Sequence, residues 1–135
     1  MKHAIRAFIA VFLILAPATA LRAHHSFAAI FDKDQPVEVT GVLVRVEWSN
    51  PHMFFYIDVE EDGETVRWAF EGYPPSMMVR QGWSRNTVQP GDRVTMTGWR
   101  ARVGDRPVAG GNRMTLPDGR VLPVGASSEA ENRLQ

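Results

Sequence analysis

The sequence predicts an all-β domain with one short helix, a small five-stranded Greek-key barrel of the OB type or alternatively an open β-sandwich or roll. Three observations predict this class. Short runs rich in valine and aromatic residues alternate in polarity, and turn residues separate them at short intervals. One short helical pattern lies between the third and fourth strands, and the resulting order of strand, strand, strand, helix, strand, strand is that of the OB barrel.

The first strand is predicted from Val37 to Trp48, because its polarity has the period of two of a half-buried strand. One face carries Val42, Val44, Val46 and Trp48, and the other carries Leu43, Arg45 and Glu47. Gly41 suits a bulge or bend. Ser49-Asn50-Pro51 ends the strand, because proline cannot donate to a ladder and asparagine favours turns.

Two further strands, residues 53–60 and 64–71, follow as a hairpin that turns at Glu61-Asp62-Gly63. Pro74-Pro75 suits a helix start and Gly82 a helix stop, which leaves room for about two turns. A fourth strand follows Pro90-Gly91-Asp92, and a last hairpin turns at residues 117–119.

The first 23 residues are predicted to be a cleavable secretory signal, since a basic start precedes a short apolar run and a small-residue region. Cleavage after Ala20 would leave Leu21 first, and cleavage after Ala23 would leave His24 first. The run is too short to span a bilayer, so we expect no stable membrane span. Residues 24–124 form the predicted β domain of a periplasmic or secreted protein, and 125–135 a disordered tail.

Removal of the signal takes away Lys2, Arg6 and Arg22, so 15 basic residues become 12 against 15 acidic ones, a net charge near −3. This balance argues against nucleic acid or an anionic membrane as a partner. The chain has no cysteine, which excludes disulfides, thiolate metal sites and thiol nucleophiles.

Five runs, in this order and spacing, resemble an exported bacterial family, domain of unknown function 6152: HHSFAAIFD, VEWSNPHMFFYIDV, RWAFEG, GWSRNTVQPGDRVTMTG and LPDGR. The resemblance covers nearly all of the mature chain. It implies a small, exported β domain, and it carries over no catalytic or binding residue.

His24, His25 and His52 are the only histidines after the signal, and imidazole is a ligand for copper, zinc and nickel. If His24 is the first residue, its amine and ring could chelate one Cu(II), with His25 or His52 as a further ligand, as in the histidine brace of exported copper proteins. A chain starting at Ala23 would place His25 third, another arrangement that binds copper or nickel.

A start at Leu21 forms neither chelate, and a site of two or three histidine side chains would then have to be built by the fold alone. In the structural alternative to a metal site, Phe27, Ile30 and Phe31 pack a short amino-terminal segment onto the barrel, and His52 hydrogen-bonds its own turn.

Two other binding sites compete with the histidines. The methionines could bind Cu(I), although their strand and helix positions favour core packing. Trp48 and Tyr73 could line a metal-free groove for a sugar, a peptide or a cell-envelope protein. Catalysis is not expected, because the strand carboxylates Glu47, Asp58, Glu60 and Glu71 form no recognisable set with a nucleophile or base. The sequence therefore predicts a small exported binding protein, with copper binding or delivery as the leading hypothesis.

Overall fold

The computed structural model describes residues 26–102 and 104–125. The predicted signal (residues 1–23), His24, His25 and residues 126–135 of the predicted tail lie outside this range. In chain order the elements are α1 (Ser26–Ile30), β1 (Phe31–Glu47), β2 (Phe54–Glu61), β3 (Glu64–Glu71), α2 (Pro75–Arg80), β4 (Arg93–Ala101), β5 (Val108–Thr115) and β6 (Val121–Pro123). Among the described residues, neither helix has the length and apolarity needed to cross a bilayer.

The six strands form one mostly antiparallel sheet in the order β3-β2-β1-β4-β5-β6, so the predicted all-β class with a short helix is confirmed. The sheet is not a fully closed barrel. It curls until β3 meets β5 in a short parallel ladder that pairs residues 69–71 with 108–110. This is the strand pairing of a partly open OB-type barrel. The sixth strand, one more than predicted, comes from the last hairpin.

Strand β1 is longer than predicted and changes its buried face at a bulge. It begins at Phe31 instead of Val37, and its register with β2 shifts between Leu43 and Arg45. Before the bulge Leu43 is buried and Val42 is 40% exposed, whereas after it Val46 and Trp48 pack against the core. The prediction of one continuous valine face was therefore wrong, because an extra residue in one strand reverses the side-chain alternation beyond it.

The core lies inside the curled sheet, and α2 contributes to it. Met78 of α2 is fully buried. The Trp83 ring lies 5.3 Å from that of Phe55, tilted by 50°, and its indole Nε1 donates to the Pro123 carbonyl at 2.7 Å. The predicted packing role of methionine is confirmed, because four side chains are fully buried: Met53, Met78, Met96 and Met114. Their flexible thioethers suit the irregular gaps between curved strands.

The predicted turns are confirmed, and so is the short helix. Asp62 and Gly63 take φ values of 52° and 85° in the β2–β3 hairpin, as a two-residue turn of type I′ requires. Helix α2 starts at Pro75 and ends at Arg80. Gly82, two residues later, has a φ of 92°. The last hairpin closes between Leu116 and Arg120, through the predicted Pro117-Asp118-Gly119 turn.

Gly41 allows β1 and β2 to approach each other. A Cβ at this position would overlap the Asp58 carbonyl oxygen and lie 2.8 Å from Ile57 Cγ2. We expect Gly41→Ala to lower the free energy of unfolding by about 1–3 kcal/mol, because the backbone of β2 must move. Urea denaturation followed by circular dichroism measures this change.

The neighbouring variant Val42→Ala is the control. Val42 is exposed, so its truncation should change stability by only about 0.5 kcal/mol. Equal stability losses in the two variants would contradict the role assigned to Gly41.

Candidate functional site

His52 lies in the loop between β1 and β2, directly after a cis Asn50–Pro51 peptide. Backbone hydrogen bonds of the next residue, Met53, join this loop to the residues that follow β3. Met53 N–H donates to the Tyr73 carbonyl at 3.2 Å, and Gly72 N–H donates to the Met53 carbonyl at 2.8 Å. Met53 and Phe55 are buried, so the alternation of an extended chain directs His52 outward. The His52 side chain is accordingly 46% exposed.

The His52 side chain is paired with Glu71, the last residue of β3. Its Nδ1 contacts Glu71 Oε1, and the Glu71 side chain is 21% exposed. In a neutral imidazole whose Nδ1–H donates to a carboxylate, Nε2 is the nitrogen that carries the lone pair. The pair therefore presents one oriented imidazole at a solvent-facing position.

The other two histidines of the predicted site, His24 and His25, lie outside the described residues. Within residues 26–102 and 104–125, no three side chains of His, Cys, Asp or Glu are grouped closely enough to hold a metal ion.

Helix α1, at the start of the described chain, packs on the outer face of the sheet. The Phe27 ring lies 4.9 Å from that of Phe31 and 5.8 Å from that of Trp99, which it meets edge to face. Arg102 holds the same segment from the other side: its Nε donates to the Ala28 carbonyl and its backbone N–H to the Ile30 carbonyl, both at 2.8 Å. The packing of Phe27 and Phe31 agrees with the structural alternative for this segment, whereas Ile30 is 47% exposed and neither the helix nor the Arg102 contacts were predicted.

The two residues of the alternative aromatic groove are both partly buried. Trp48 packs against the core, and the Arg85 guanidinium lies 5.4 Å from the centre of its ring. Tyr73 also packs against the core, and its backbone N–H donates to the Val124 carbonyl at 2.7 Å. Each ring contributes to stability and offers only part of its surface to a ligand.

The four strand carboxylates each have a partner on the outer face of the sheet. Glu47 binds Arg45 at 2.6 Å and accepts from the Tyr56 hydroxyl at 3.1 Å. Glu60 accepts from Thr65 at 2.6 Å, Asp58 is bound by Arg67, and Glu71 by His52. The arrangement is that of a solvated strand face with cross-strand pairs.

The Asp58–Arg67 pair is bidentate. Arg67 donates from Nε and from a terminal nitrogen to the two carboxylate oxygens, at 2.7 and 2.9 Å. These hydrogen bonds and the positive charge of Arg67 lower the pKa of Asp58 below its ordinary value of 3.8, although partial burial opposes the change. The same bonds raise the pKa of Arg67, so both groups are charged at neutral pH.

Fold and site together define a small domain built on one curled, mostly antiparallel β-sheet, with an outward-facing histidine–carboxylate pair where β3 ends. Residues 12–111 match a protein family described as a family of unknown function, DUF6152. The match covers more than half of the chain, so the protein belongs to this family. No curated protein matches the sequence.

The lowered pKa of Asp58 predicts a pH-dependent contribution to stability. A carboxyl group whose pKa is lower in the folded than in the unfolded state stabilises above its unfolded pKa, and the effect is lost as the pH falls through the folded pKa. We therefore expect wild type to be more stable than Asp58→Asn near neutral pH, and the difference to shrink below pH 3.8. Urea denaturation of both proteins across a pH series measures this difference in the free energy of unfolding.

Arg67→Gln supplies the control, because it removes the partner of Asp58. Adding Asp58→Asn to that variant should change stability less, and with a weaker dependence on pH. A stability difference between wild type and Asp58→Asn that stays constant down to the lowest usable pH would contradict this assignment.

Proposed function

We propose that this protein is exported and binds Cu(II) through His52 together with His24 and His25, for copper binding or delivery and not for catalysis. The observation that carries the proposal is the contact between His52 Nδ1 and Glu71 Oε1. Metal-binding histidines commonly donate their second ring N–H to a carboxylate, which orients the ring and makes it a better ligand.

The donor set favours copper in its oxidised form. Imidazole nitrogen and a terminal amine suit Cu(II), whereas Cu(I) favours soft sulfur ligands. Met53, the thioether next to His52 in sequence, is fully buried and faces away from it. The chain contains no cysteine that could supply a thiolate.

The amino terminus supplies the remaining donors in this proposal. Processing after Ala23 would make His24 the first residue and place its α-amine and imidazole in chelating positions. The ordinary pKa of such an amine is about 7.7–8.0, so protons compete with copper only modestly near neutral pH. Processing after Ala20 would leave only the three side chains as ligands.

Native mass spectrometry of protein recovered from the periplasm tests the proposal directly. We expect a mature chain that begins at His24 and takes up one copper ion, because the amine and three imidazoles provide enough ligands for one site. A chain that begins at Leu21 and stays metal-free after copper is added would contradict the proposal.

Substitution of the histidine–carboxylate pair provides a second test. We expect Glu71→Gln to weaken Cu(II) binding by about 10- to 100-fold, as loss of a carboxylate behind a ligand histidine does. His52→Ala should weaken it at least as much, since the ligand itself is lost. Competition titration against a chelator of known affinity gives the Kd, and circular dichroism monitors the fold.

Glu60→Gln is the matched control, because this carboxylate is exposed and bonds Thr65 instead of a histidine. It should bind copper as wild type does. Wild-type affinity in His52→Ala would remove His52 from the site.

A further inference from the structure

We infer that an open cavity on the outer face of the sheet, the Glu38 cavity, binds a small primary alkylammonium ion. It is lined by residues 36–38 of β1, residues 97–99 of β4 and Asn112 of β5. None of these residues belongs to the histidine–carboxylate pair, so the inference is independent of copper binding.

The Glu38 cavity lies across three consecutive pairs of the β1–β4 ladder. Pro36 pairs with Trp99, Val37 with Gly98, and Glu38 with Thr97. The neighbours Val39 and Met96 are buried, so the alternation of the two strands directs Glu38 and Thr97 outward. The volume of about 340 Å³ is at the lower end of the range for small-molecule sites, which indicates a small ligand.

A bulge in β5 brings Asn112 to the cavity. Thr97 pairs with Arg113 and Gly98 with Gly111, so Asn112 is the extra residue between them. Bulges often re-aim a side chain beside a functional site. The Asn112 Oδ1 atom is buried and accepts no hydrogen bond within residues 26–102 and 104–125. Because a buried acceptor without a donor is unfavourable, a ligand N–H in the cavity would supply the missing partner.

The polar side chains of the lining offer negative charge and hydrogen-bond acceptors. Glu38 is exposed, and its carboxylate makes no ion pair within the described part of the chain. Thr97 Oγ1 donates to the Arg113 carbonyl at 3.4 Å, so its lone pairs are free to accept. Together with Asn112 Oδ1 these groups provide three acceptors, which match the three N–H donors of a primary ammonium group.

The rest of the lining suits a cation that carries an alkyl chain. The indole ring of Trp99 attracts a cation placed over its face. Phe27 supports this ring through an edge-to-face contact at 5.8 Å between centroids. Pro36 and Val37 provide apolar surface against which methylene groups can be buried.

Charge distinguishes the Glu38 cavity from two other cavities on the outer surface. One of them contains Arg93, and the other contains Arg45 and Arg67. A guanidinium in the lining opposes the binding of a cation. The Glu38 cavity has a carboxylate and no base among its lining residues, and Arg113, the register partner of Thr97, does not line it.

Calorimetric titration of the metal-free protein with n-butylammonium chloride, in the presence of EDTA, tests the inference separately from copper binding. We expect saturable binding of one ion per chain. Tetramethylammonium has the same charge but no N–H donor, so it should bind at least about tenfold more weakly. Absence of saturable butylammonium binding, or equal affinity for the two ions, would overturn the inference.

Substitution of Glu38 tests the location of the site. We expect Glu38→Gln to weaken butylammonium binding by at least about tenfold, because the charged acceptor is lost. Glu64→Gln is the matched control, since Glu64 is an exposed strand carboxylate that does not line this cavity. It should leave the affinity unchanged. Equal losses in the two variants would contradict this site.

Asn112→Leu separates a binding role from a structural one. The variant removes a buried acceptor that has no donor, so without ligand it should be at least as stable in urea as wild type. It should nevertheless bind butylammonium about tenfold more weakly, because one of the three acceptors is lost. Lower stability combined with wild-type affinity would overturn the binding role of Asn112.

A capped glycyl-lysyl-glycine peptide distinguishes a free amine from a lysine of a partner protein, which carries the same ammonium group. The peptide should bind no more tightly than butylammonium, because the cavity holds only the head group and a short alkyl chain. Binding of the peptide more than about tenfold tighter would contradict a small-molecule ligand.

Discussion

The curvature of β1 is the constraint on which the rest of the structure depends. This one strand pairs with β4 through residues 31–42 and with β2 through residues 42–47, so it must bend around the core. Gly41 allows the close approach to β2, and the bulge beside it changes which side chains face inward. Without this bend the sheet would stay open, and β3 would not reach β5.

The ladder between β3 and β5 has a chemical consequence at the outer surface. It makes Glu71 a neighbour of Gly110, residues 39 positions apart in the sequence. Gly110 has no side chain, and the rings of Phe27 and Phe31 occupy the space above it. The beginning of the described chain therefore packs over β5, the strand that pairs with the end of β3, although these residues are far apart in sequence.

The outer face also explains why acidic strand residues do not by themselves indicate catalysis. Glu47, Asp58 and Glu60 are each bound locally by a side chain on the same or the adjacent strand. Glu71 differs because its partner is an imidazole on an exposed loop. That partner can bind a further ligand through Nε2, whereas a guanidinium carries only donors.

Local sequence patterns predicted much of the fold and only part of the candidate site. The β2–β3 hairpin, α2 and the last hairpin follow from glycine, proline and aspartate at turn positions, whose backbone preferences act over a few residues. The change of buried face in β1 was not predicted. A bulge depends on how the strand pairs with its partner, and the sequence of one strand shows only its alternation of polar and apolar residues. His52 was identified as a candidate from its residue type, but Glu71 was not identified as its partner.

The sequence by itself determined the all-β class, the order of the elements from β1 onward and the residue types available for chemistry. Those properties depend on local backbone preference and on composition, so they can be read along the chain. Only the tertiary structure decided that Glu71 binds His52, that Phe27 covers Gly110 and that Arg102 holds α1. The reason is physical: these contacts join residues on different strands, and strand register and sheet curvature, which bring them together, are set by packing of the whole core.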